Sequence, residues 1–291
     1  FVSLLVSSLT KSNTKCCVVS GGYKKRLSGE YSLNKKTIKN FSAQDVGDEP
    51  YMLFQQTGAP VFVGNKKKSL SLAFSKKNFS HIVVDDGYQS HYIKKDFNIL
   101  LIDCSLSLKK YKLFPRGVLR EPLAAIKRAD LIVFTKTNLC LEADLKEKMS
   151  FFLQHINEKK QKVLWSSFKA RLLVNKKNVL VPCSEQKPTK FVGFCGIANP
   201  LSFEKTQSKT NIVCIKNFVF PDHCLYTKQD ISRVVNYAKE NNVFSLITTK
   251  KDYYKVLNLI PSGFNLYVLD VSHVFNKKIN WSTLFRRQSK T

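Results

Sequence analysis

The sequence predicts an α/β protein of two domains, each built on a mainly parallel, doubly wound sheet. Two observations favour this class. Short apolar runs rich in β-branched residues alternate with helix-like stretches, and polar motifs directly follow several of these runs. A buried parallel strand is typically such a run, and open α/β sheets bind ligands beyond the carboxyl ends of their strands. With 291 residues, 43% of them hydrophobic, the chain is long enough to bury a hydrophobic core in each of two domains, and its composition is not that of a disordered protein.

The first half of the chain alternates between strand candidates and helix candidates. We expect strands at residues 16–20, 61–64, 81–84, 98–103 and 130–135. We expect helices at residues 1–10, 49–57, 70–77, 119–128 and 141–158. This alternation predicts parallel strands joined by helical crossovers, because parallel neighbours cannot be joined by a tight turn.

A β-hairpin is expected between the two domains. Residues 171–182 form two short apolar runs around Asn175–Asn178, and asparagine suits the positive φ angles of tight turns. The polar segment 184–189 is typical of a linker. We therefore expect a first domain over 1–168, a hairpin and linker over 169–189, and a smaller α/β domain over 190–291. Further strands are expected near 162–166 and at 191–195, 212–219, 243–248 and 264–269, with a helix at 228–240.

The cysteines and apolar stretches bear on the cellular compartment. Eight cysteines are scattered without CxxC spacing, several within apolar runs, which is typical of reduced, buried thiols in a cytosolic protein. The longest apolar stretches fall well short of the ~20 residues that span a bilayer. No signal-peptide pattern is visible.

The charge of the chain is strongly basic, with a formal net charge of +27. Only eight of the 48 basic residues are arginine, and the lysines are spread over the whole chain. Nucleic-acid-binding proteins usually cluster arginine and interleave aromatic residues on one face. We therefore expect attraction to an anionic membrane surface rather than nucleic-acid binding.

The segment 81–89, HIVVDDGYQ, contains the pattern most relevant to function. An apolar run, expected to be a central strand, ends in Asp85 and Asp86, followed by Gly87. Two carboxylates there suit Mg²⁺, which takes one or two carboxylates and completes its shell with water and phosphate oxygens. The alternative is a turn that ends the strand, because Asp and Gly are ordinary turn residues.

Other polar residues cluster at the expected ends of elements. Asp48 precedes a helical stretch, Arg120 and Glu121 follow a loop, and Asp222 and His223 end a strand. Each has a structural alternative: a helix N-cap, a surface ion pair, and a cap with a loop histidine. Together they favour a site at the strand ends, where α/β enzymes keep their chemistry.

In this order, the motifs resemble those of the tetraacyldisaccharide 4'-kinase (lipid A 4'-kinase) family of Gram-negative bacteria. The resemblance extends from the first residues to about Lys255, and the combination of DDGYQ, LREP and FPDH is specific. The matching motifs are VVSGGY (18–23), GDEP (47–50), APVFV (59–63), DDGYQSH (85–91), LFPRGVLREP (113–122), AD (129–130), GIANP (196–200), FPDH (220–223) and TTKKD (248–252).

The resemblance implies a fold, an activity and a set of site residues. The fold is two P-loop-NTPase-like or Rossmann-like three-layer domains. The activity is ATP-dependent phosphorylation of the 4'-hydroxyl of tetraacyldisaccharide 1-phosphate, which forms lipid IVA in lipid A biosynthesis, with ATP and Mg²⁺ as cofactors. By this resemblance Asp85 and Asp86 hold the metal, Asp48 is the catalytic base and His223 its partner across an inter-domain cleft. Glu49, Gln89, Arg120 and Glu121 surround metal, nucleotide or lipid phosphate.

The sequence also departs from the family pattern. No GxxxxGK[ST] phosphate-binding loop occurs, and the first residue is Phe1. We therefore expect an N-terminally truncated sequence that is inactive as it stands. Gly21, Lys24 and Ala198 differ from the family's SRGYGG and GIGNP motifs. Two alternatives remain open: a decayed, non-catalytic relic of the kinase, and a basic nucleic-acid-binding α/β protein.

The resemblance finally implies partners and a location. We expect a monomer that takes the lipid A disaccharide 1-phosphate as substrate. It would lie peripherally on the cytoplasmic face of the bacterial inner membrane, without a transmembrane segment.

Overall fold

The computed structural model describes residues 1–76, 78–174, 179–182, 190–210 and 212–285. The chain forms two compact units, each made of two stretches of sequence. The first unit contains Phe1–Asp86 and Ala170–Val271, and the second unit contains Gly87–Lys169 and Ser272–Thr291. This grouping does not test the domain boundaries expected at 168 and 190, which stay a prediction.

The elements alternate along the chain as expected for an α/β protein. The strands are β1 (Cys16–Ser20), β2 (Tyr31–Leu33), β3 (Val61–Val63), β4 (His81–Val84), β5 (Ile99–Asp103), β6 (Leu131–Thr135), β7 (Lys162–Val174), β8 (Val179–Pro182), β9 (Lys190–Cys195), β10 (Val213–Val219), β11 (Ser245–Thr249) and β12 (Asn265–Phe275). The helices are α1 (Val2–Lys11), α2 (Ala43–Val46), α3 (Asp48–Thr57), α4 (Lys66–Ser75), α5 (Glu142–Leu153), α6 (Pro200–Ser208), α7 (Lys228–Glu240), α8 (Lys250–Val256) and α9 (Trp281–Leu284).

A four-stranded sheet in the first unit has the order β2-β3-β1-β4. Strand β1 is parallel to β3 and β4, and β2 is antiparallel to β3. All five residues of β1 are buried, whereas the four of β4 are only partly buried. The expectation that the strand before Asp85 is central is therefore wrong, because β1 holds the central position and β4 is an edge strand of this sheet.

The first unit also contains the parallel strands of the second half of the chain. Strand β9 is parallel to β10 and β11, and β11 is parallel to β12. A core of aliphatic and aromatic side chains lies against these strands and includes Phe194, Val234 and Leu246. The expected hairpin is confirmed, because β7 and β8 pair antiparallel from Arg171 opposite Pro182 to Val174 opposite Val179. Its turn and the linker 184–189 lie outside the described residues.

The second unit contains β5, β6 and the first part of β7, which are parallel neighbours in that order. Its core includes Ile132, Phe134 and Phe152. Strands β7 and β12 are longer than expected, and each runs from one unit into the other. The helix expected at 119–128 is instead a 3₁₀ helix at Leu123–Arg128, which begins after Pro122. The sequence did not predict β2, α2, α6 or α9.

The described cysteines agree with the expectation of reduced thiols. All seven are free, and burial raises the pKa of the thiols of Cys17, Cys104 and Cys195 to about 12. Cys183 lies outside the described residues. Over the described part of the chain, no helix is both long and apolar enough to cross a membrane.

Candidate active site

The site begins at a sharp turn that places Asp48 at the start of helix α3. Gly47 precedes the helix with a φ of 99°, and a Cβ added there would lie 3.2 Å from the backbone of Gly22. Both the positive φ and the close approach favour glycine at this position. Asp48 is therefore the first residue of α3 rather than its N-cap, and its buried carboxylate lies where a helix favours negative charge.

His223 contacts Asp48, although the two residues are far apart in sequence. Its Nδ1 lies 3.5 Å from Oδ2 of Asp48, and its side chain is 12% exposed. The backbone of His223 has a φ of 59°, and its N–H donates a hydrogen bond to Oδ1 of Asp222 at 3.0 Å. The ring of Tyr23 packs edge-on against the imidazole with centroids 4.9 Å apart. A left-handed backbone at a non-glycine residue is uncommon and is typical of functional sites.

A buried lysine, Lys255, contacts the same carboxylate oxygen of Asp48. Its Nζ is 3.3 Å from Oδ2 of Asp48 and 2.9 Å from Oδ1 of Asp252, and its side chain is 2% exposed. The same ammonium donates a hydrogen bond to the carbonyl of Cys224 at 3.1 Å. Lys255 thus compensates two buried carboxylates at once.

Asp252 connects this cluster to two further motifs of the sequence. Its Oδ2 accepts hydrogen bonds from the backbone N–H of Gly196 at 2.9 Å and from the hydroxyl of Thr249 at 2.8 Å. Residues of GIANP and TTKKD therefore fix the carboxylate that holds Lys255. Sequence reasoning gave these motifs no role, although the i, i+4 spacing of Lys251 and Lys255 around Asp252 predicts that they share one face of a helix.

Lys251 contacts three of the side chains around the site. Its Nζ lies 3.1 Å from Oδ1 of Asp222, 3.1 Å from Nε2 of His223 and 3.8 Å from Oε1 of Glu49. The structural alternative of a cap with a loop histidine holds for the backbone of Asp222 and His223, and in addition their side chains belong to one charged cluster with Asp48.

Asp85 and Asp86 directly follow β4. Burial raises the pKa of the Asp85 carboxyl, and the nearby charges of Glu49 and Asp86 raise it further, while a hydrogen bond from the hydroxyl of Ser20, 3.2 Å from Oδ2, lowers it. Asp86 is exposed and has a φ of 47°, as a turn residue does. The turn alternative is thus correct for the backbone of Asp86, and the carboxyl of Asp85 lies within the influence of the charge on Glu49.

The chemistry of these donors fits a magnesium ion. Asp85, Asp86 and Glu49 offer hard oxygen ligands, and a cation there would offset the negative charges of Glu49 and Asp86, which add to the effect of burial in raising the pKa of Asp85. No group of three or more His, Cys, Asp or Glu side chains with the geometry of a metal site occurs in the part of the chain that the structure describes. The fit therefore rests on two or three carboxylates, with water and phosphate completing the shell.

The remaining expected site residues lie in the second unit. Nη1 of Arg120 is 3.3 Å from Oε1 of Gln89. Glu121 pairs with Arg128 at 2.6 Å and with Nε2 of His91 at 3.3 Å. Glu121 thus has ionic partners outside its own motif, Arg128 and His91.

The family comparison covers the chain almost from end to end. The family described as tetraacyldisaccharide-1-P 4'-kinase matches residues 1–288. The chain belongs to this family. Relatives named tetraacyldisaccharide 4'-kinase agree: that of Halothermothrix orenii is 29% identical over 290 residues, 93% of this chain and 74% of that protein. That of Bdellovibrio bacteriovorus is 31% identical over 257 residues, 87% of this chain and 74% of that protein.

A solved structure supports the fold of a tetraacyldisaccharide 4'-kinase. LpxK of Aquifex aeolicus, crystallised in complex with ATP, matches with a TM-score of 0.69 and 24% sequence identity. The match covers 95% of this chain and 80% of that chain. The expected α/β class and its likeness to this kinase fold are thereby confirmed.

Proposed function

We propose that this chain catalyses transfer of the γ-phosphoryl group of ATP to the 4'-hydroxyl of tetraacyldisaccharide 1-phosphate. The observation that supports this is the asymmetric environment of Asp48. Among the described residues, the contacts of its carboxylate with Lys255 and His223 are all to Oδ2, which leaves Oδ1 for a substrate hydroxyl. A fixed carboxylate with one available oxygen is suited to general-base catalysis.

The reaction requires one proton transfer and one phosphoryl transfer. The 4'-oxygen attacks the γ-phosphorus, the bond from that phosphorus to the β,γ-bridging oxygen breaks, and ADP leaves. The hydroxyl proton passes to Asp48 as the new P–O bond forms. His223 and Lys255 orient the carboxylate, since positioning supplies much of the catalysis in phosphoryl transfer.

Asp85 and Asp86 would hold Mg²⁺, with Glu49 beside them. The ion supplies neutralisation of charge on the transferred phosphoryl group when bound. In the second unit, Gln89, Arg120 and Glu121 orient the nucleotide or the phosphate of the lipid. Arg120 is suited to this because a guanidinium binds phosphate oxygens in a fixed fork.

The test is a phosphoryl-transfer assay on a fusion that places the GxxxxGK[ST] loop region of a relative before Phe1. We expect ATP-dependent product with the disaccharide 1-phosphate, and none with its 4'-deoxy analogue. Asp48→Ala should lower turnover by the ~10²–10⁴-fold that loss of a general base costs, while lipid binding is kept. Asp144→Ala, a change at an exposed acid of α5, is the matched control. An inactive fusion would favour the decayed relic, and wild-type turnover in Asp48→Ala would remove the mechanism.

We propose that the chain works at an anionic membrane surface and contacts it through the loop 109–118 of the second unit. Leu113, Phe114 and Val118 are exposed there, Phe114 by 79%. The same loop carries four exposed cations, Lys109, Lys110, Lys112 and Arg116, and residues 104–120 include no acid. Exposed apolar side chains and cations in one loop match a layer of anionic headgroups above acyl chains.

The backbone of this loop is well ordered by hydrogen bonds. The N–H of Phe114 donates to the carbonyl of Leu119 at 2.8 Å, and the N–H of Val118 donates to the carbonyl of Lys110 at 2.9 Å. A preformed loop can expose an apolar tip without a large entropic cost on binding.

Co-sedimentation with vesicles of zwitterionic lipid, with and without anionic phospholipid, tests this surface. We expect binding only with anionic lipid, weakened by salt and by Phe114→Ser. Phe74→Ser is the control, since Phe74 is 63% exposed on α4, which begins with three lysines. Equal loss of binding in the two variants would contradict the assignment of the loop.

A further inference from the structure

The contact between Lys251 and His223 constrains where the imidazole carries its proton. Nζ of Lys251 lies 3.1 Å from Nε2 of His223, with Asp222 and Glu49 as its counter-charges. The side chains of Lys251 and His223 are 14% and 12% exposed. Little water is therefore available to separate the two groups.

An ammonium group has three donors and no acceptor. Nε2 of His223 must therefore present its lone pair to Lys251, and a neutral imidazole that accepts at Nε2 carries its hydrogen on Nδ1. A doubly protonated ring would place two donors and two positive charges 3.1 Å apart, which is unfavourable even with nearby carboxylates.

The other groups that face the ring are compatible with this tautomer. Oδ2 of Asp48 lies 3.5 Å from Nδ1, on the side where the hydrogen would be. Oδ2 of Asp222 lies 3.8 Å from Nε2, farther away than Lys251. Tyr23 contacts the ring edge-on. Nδ1 is buried without a hydrogen bond in the described part of the chain, so it needs only a small approach of Asp48 to gain one.

We propose that Lys251 is a positioning residue that fixes His223 as the neutral Nδ1–H tautomer. In this state Nδ1–H donates to Oδ2 of Asp48 and cannot accept a proton from it. His223 then orients the base and stabilises its charge, and the proton taken from the substrate stays on Asp48 during the transfer. The catalytic meaning of this tautomer rests on the proposed function, whereas the tautomer itself does not.

Nitrogen NMR of the imidazole rings tests the tautomer directly in the 291-residue chain, without ATP or substrate. Long-range proton–nitrogen spectra distinguish a protonated ring nitrogen from an unprotonated one, and His223→Asn identifies the signals of His223 among five histidines. We expect a protonated Nδ1 and an unprotonated Nε2 at neutral pH. A hydrogen on Nε2, or on both nitrogens, would overturn the proposal.

Variants of Lys251 test its part in fixing the tautomer. Lys251→Met should allow a hydrogen on Nε2, because Asp222 is then the nearest polar partner of that nitrogen. Lys251→Arg keeps a donor-only side chain and should preserve the Nδ1–H form. Lys250→Met is the matched control, since Lys250 pairs with Asp270 at 3.2 Å instead. Retention of the Nδ1–H form in Lys251→Met would assign the tautomer to another group and overturn the role of Lys251.

Kinetics of the active fusion provide a second, separate readout. Lys251→Met should lower kcat, by no more than the ~10²–10⁴-fold cost of losing general-base catalysis, and leave KM for the lipid unchanged. Lys251→Arg should recover most of this loss. If the wild-type fusion is inactive, the proposed function fails, but the NMR result still decides the tautomer.

Discussion

Three charged side chains of this site are buried in contact with one another. Lys255 is 2% exposed, and it lies between Asp252, fully buried, and Asp48, 8% exposed. Two carboxylates and one ammonium are thus removed from water together. A buried ion pair adds little to stability by itself, yet loss of one member leaves an uncompensated buried charge.

Lys255→Met should destabilise the protein by about 3–5 kcal/mol, because both carboxylates lose their counter-charge. Urea unfolding of the chain measures this. Lys146→Met is the control, since Lys146 pairs with Glu142 on the exposed face of α5, where such a pair contributes about 0.3–0.5 kcal/mol. A loss in Lys255→Met no larger than that of the control would mean that water reaches the cluster.

We expect the stability of the first unit to depend on pH and on magnesium through Asp85. Its folded-state pKa is raised, chiefly by burial, so its favourable contribution is present below the unfolded pKa and is lost as pH rises through the folded pKa. Without metal, Asp85→Asn should therefore be more stable than the wild type near neutral pH, and the difference should shrink in acid.

Added Mg²⁺ should raise the melting temperature of the wild type and leave that of Asp85→Asn unchanged. Thermal unfolding across pH, with and without Mg²⁺, checks both; an equal response of the variant would remove Asp85 as a ligand.

Local patterns in the sequence located some of these residues and missed others. Asp85 and Asp86 could be predicted because an apolar strand and its carboxyl end are adjacent in sequence. No local rule brings Asp48 to His223, which the family motifs alone connected. Lys251 and Lys255 were missed because lysine is abundant throughout this chain, and burial distinguishes them only once helix α8 is folded.

Helix α8 carries the two lysines described at the site, Lys251 and Lys255. Its N-cap is Thr249, whose hydroxyl accepts from the N–H of Asp252 at 3.2 Å and donates to the carboxylate of Asp252 at 2.8 Å. The cap therefore fixes both the start of the helix and the carboxylate that pairs with Lys255. Helix α7 begins with the same arrangement at Thr227 and Asp230, on an exposed surface.

Thr249→Ala and Thr227→Ala form a matched pair for this element. Each should cost about 1 kcal/mol of stability, as N-cap losses usually do. Thr249→Ala should in addition lower turnover of the active fusion, because Asp252 loses the group that orients it toward Lys255. Parallel urea unfolding and transfer assays separate the two effects. Equal turnover in both variants would show that the cap acts on the helix alone.

The bounds of strands and helices were predicted best where apolar residues recur at regular intervals. Strands β1 and β4 and helix α7 begin and end at the expected residues. Short elements such as β2 were missed because three residues carry too little pattern. Strand β7 was expected to stop near Ser166, and its continuation to Val174 joins a strand and a hairpin arm that the polar residues between them had separated.

The whole molecule is organised as two compact units whose sequences interleave. The first unit takes its strands from both halves of the chain, and the contacts of α3 with α8 lie within it. Asp48 pairs with Lys255, and the rings of Tyr51 and Tyr254 are 5.9 Å apart. Sequence patterns identify domains by linkers, so they could not reveal a unit assembled from two separated stretches.

A fragment of residues 1–168 tests whether the expected first domain folds alone. Helix α3 loses its contacts with α8 in this fragment, so the amide protons of α3 should exchange much faster than in the whole chain. Helix α5, within the second unit, should keep most of its protection. Hydrogen exchange by mass spectrometry of fragment and whole chain compares the two helices. Unchanged protection of α3 would support the domain boundary at 168.

Lys255 and His223 both contact Oδ2 of Asp48, and this has a consequence for an asparagine substitution at that position. An asparagine there would have one accepting and one donating end, and the N–H groups of Lys255 and His223 would both require its oxygen. The amide NH₂ would then face the substrate and donate a hydrogen bond to the 4'-oxygen, but it could not accept the hydroxyl proton. Asparagine at this position would therefore remove the base and add a hydrogen bond to the substrate. The variant would bind the sugar without allowing it to react.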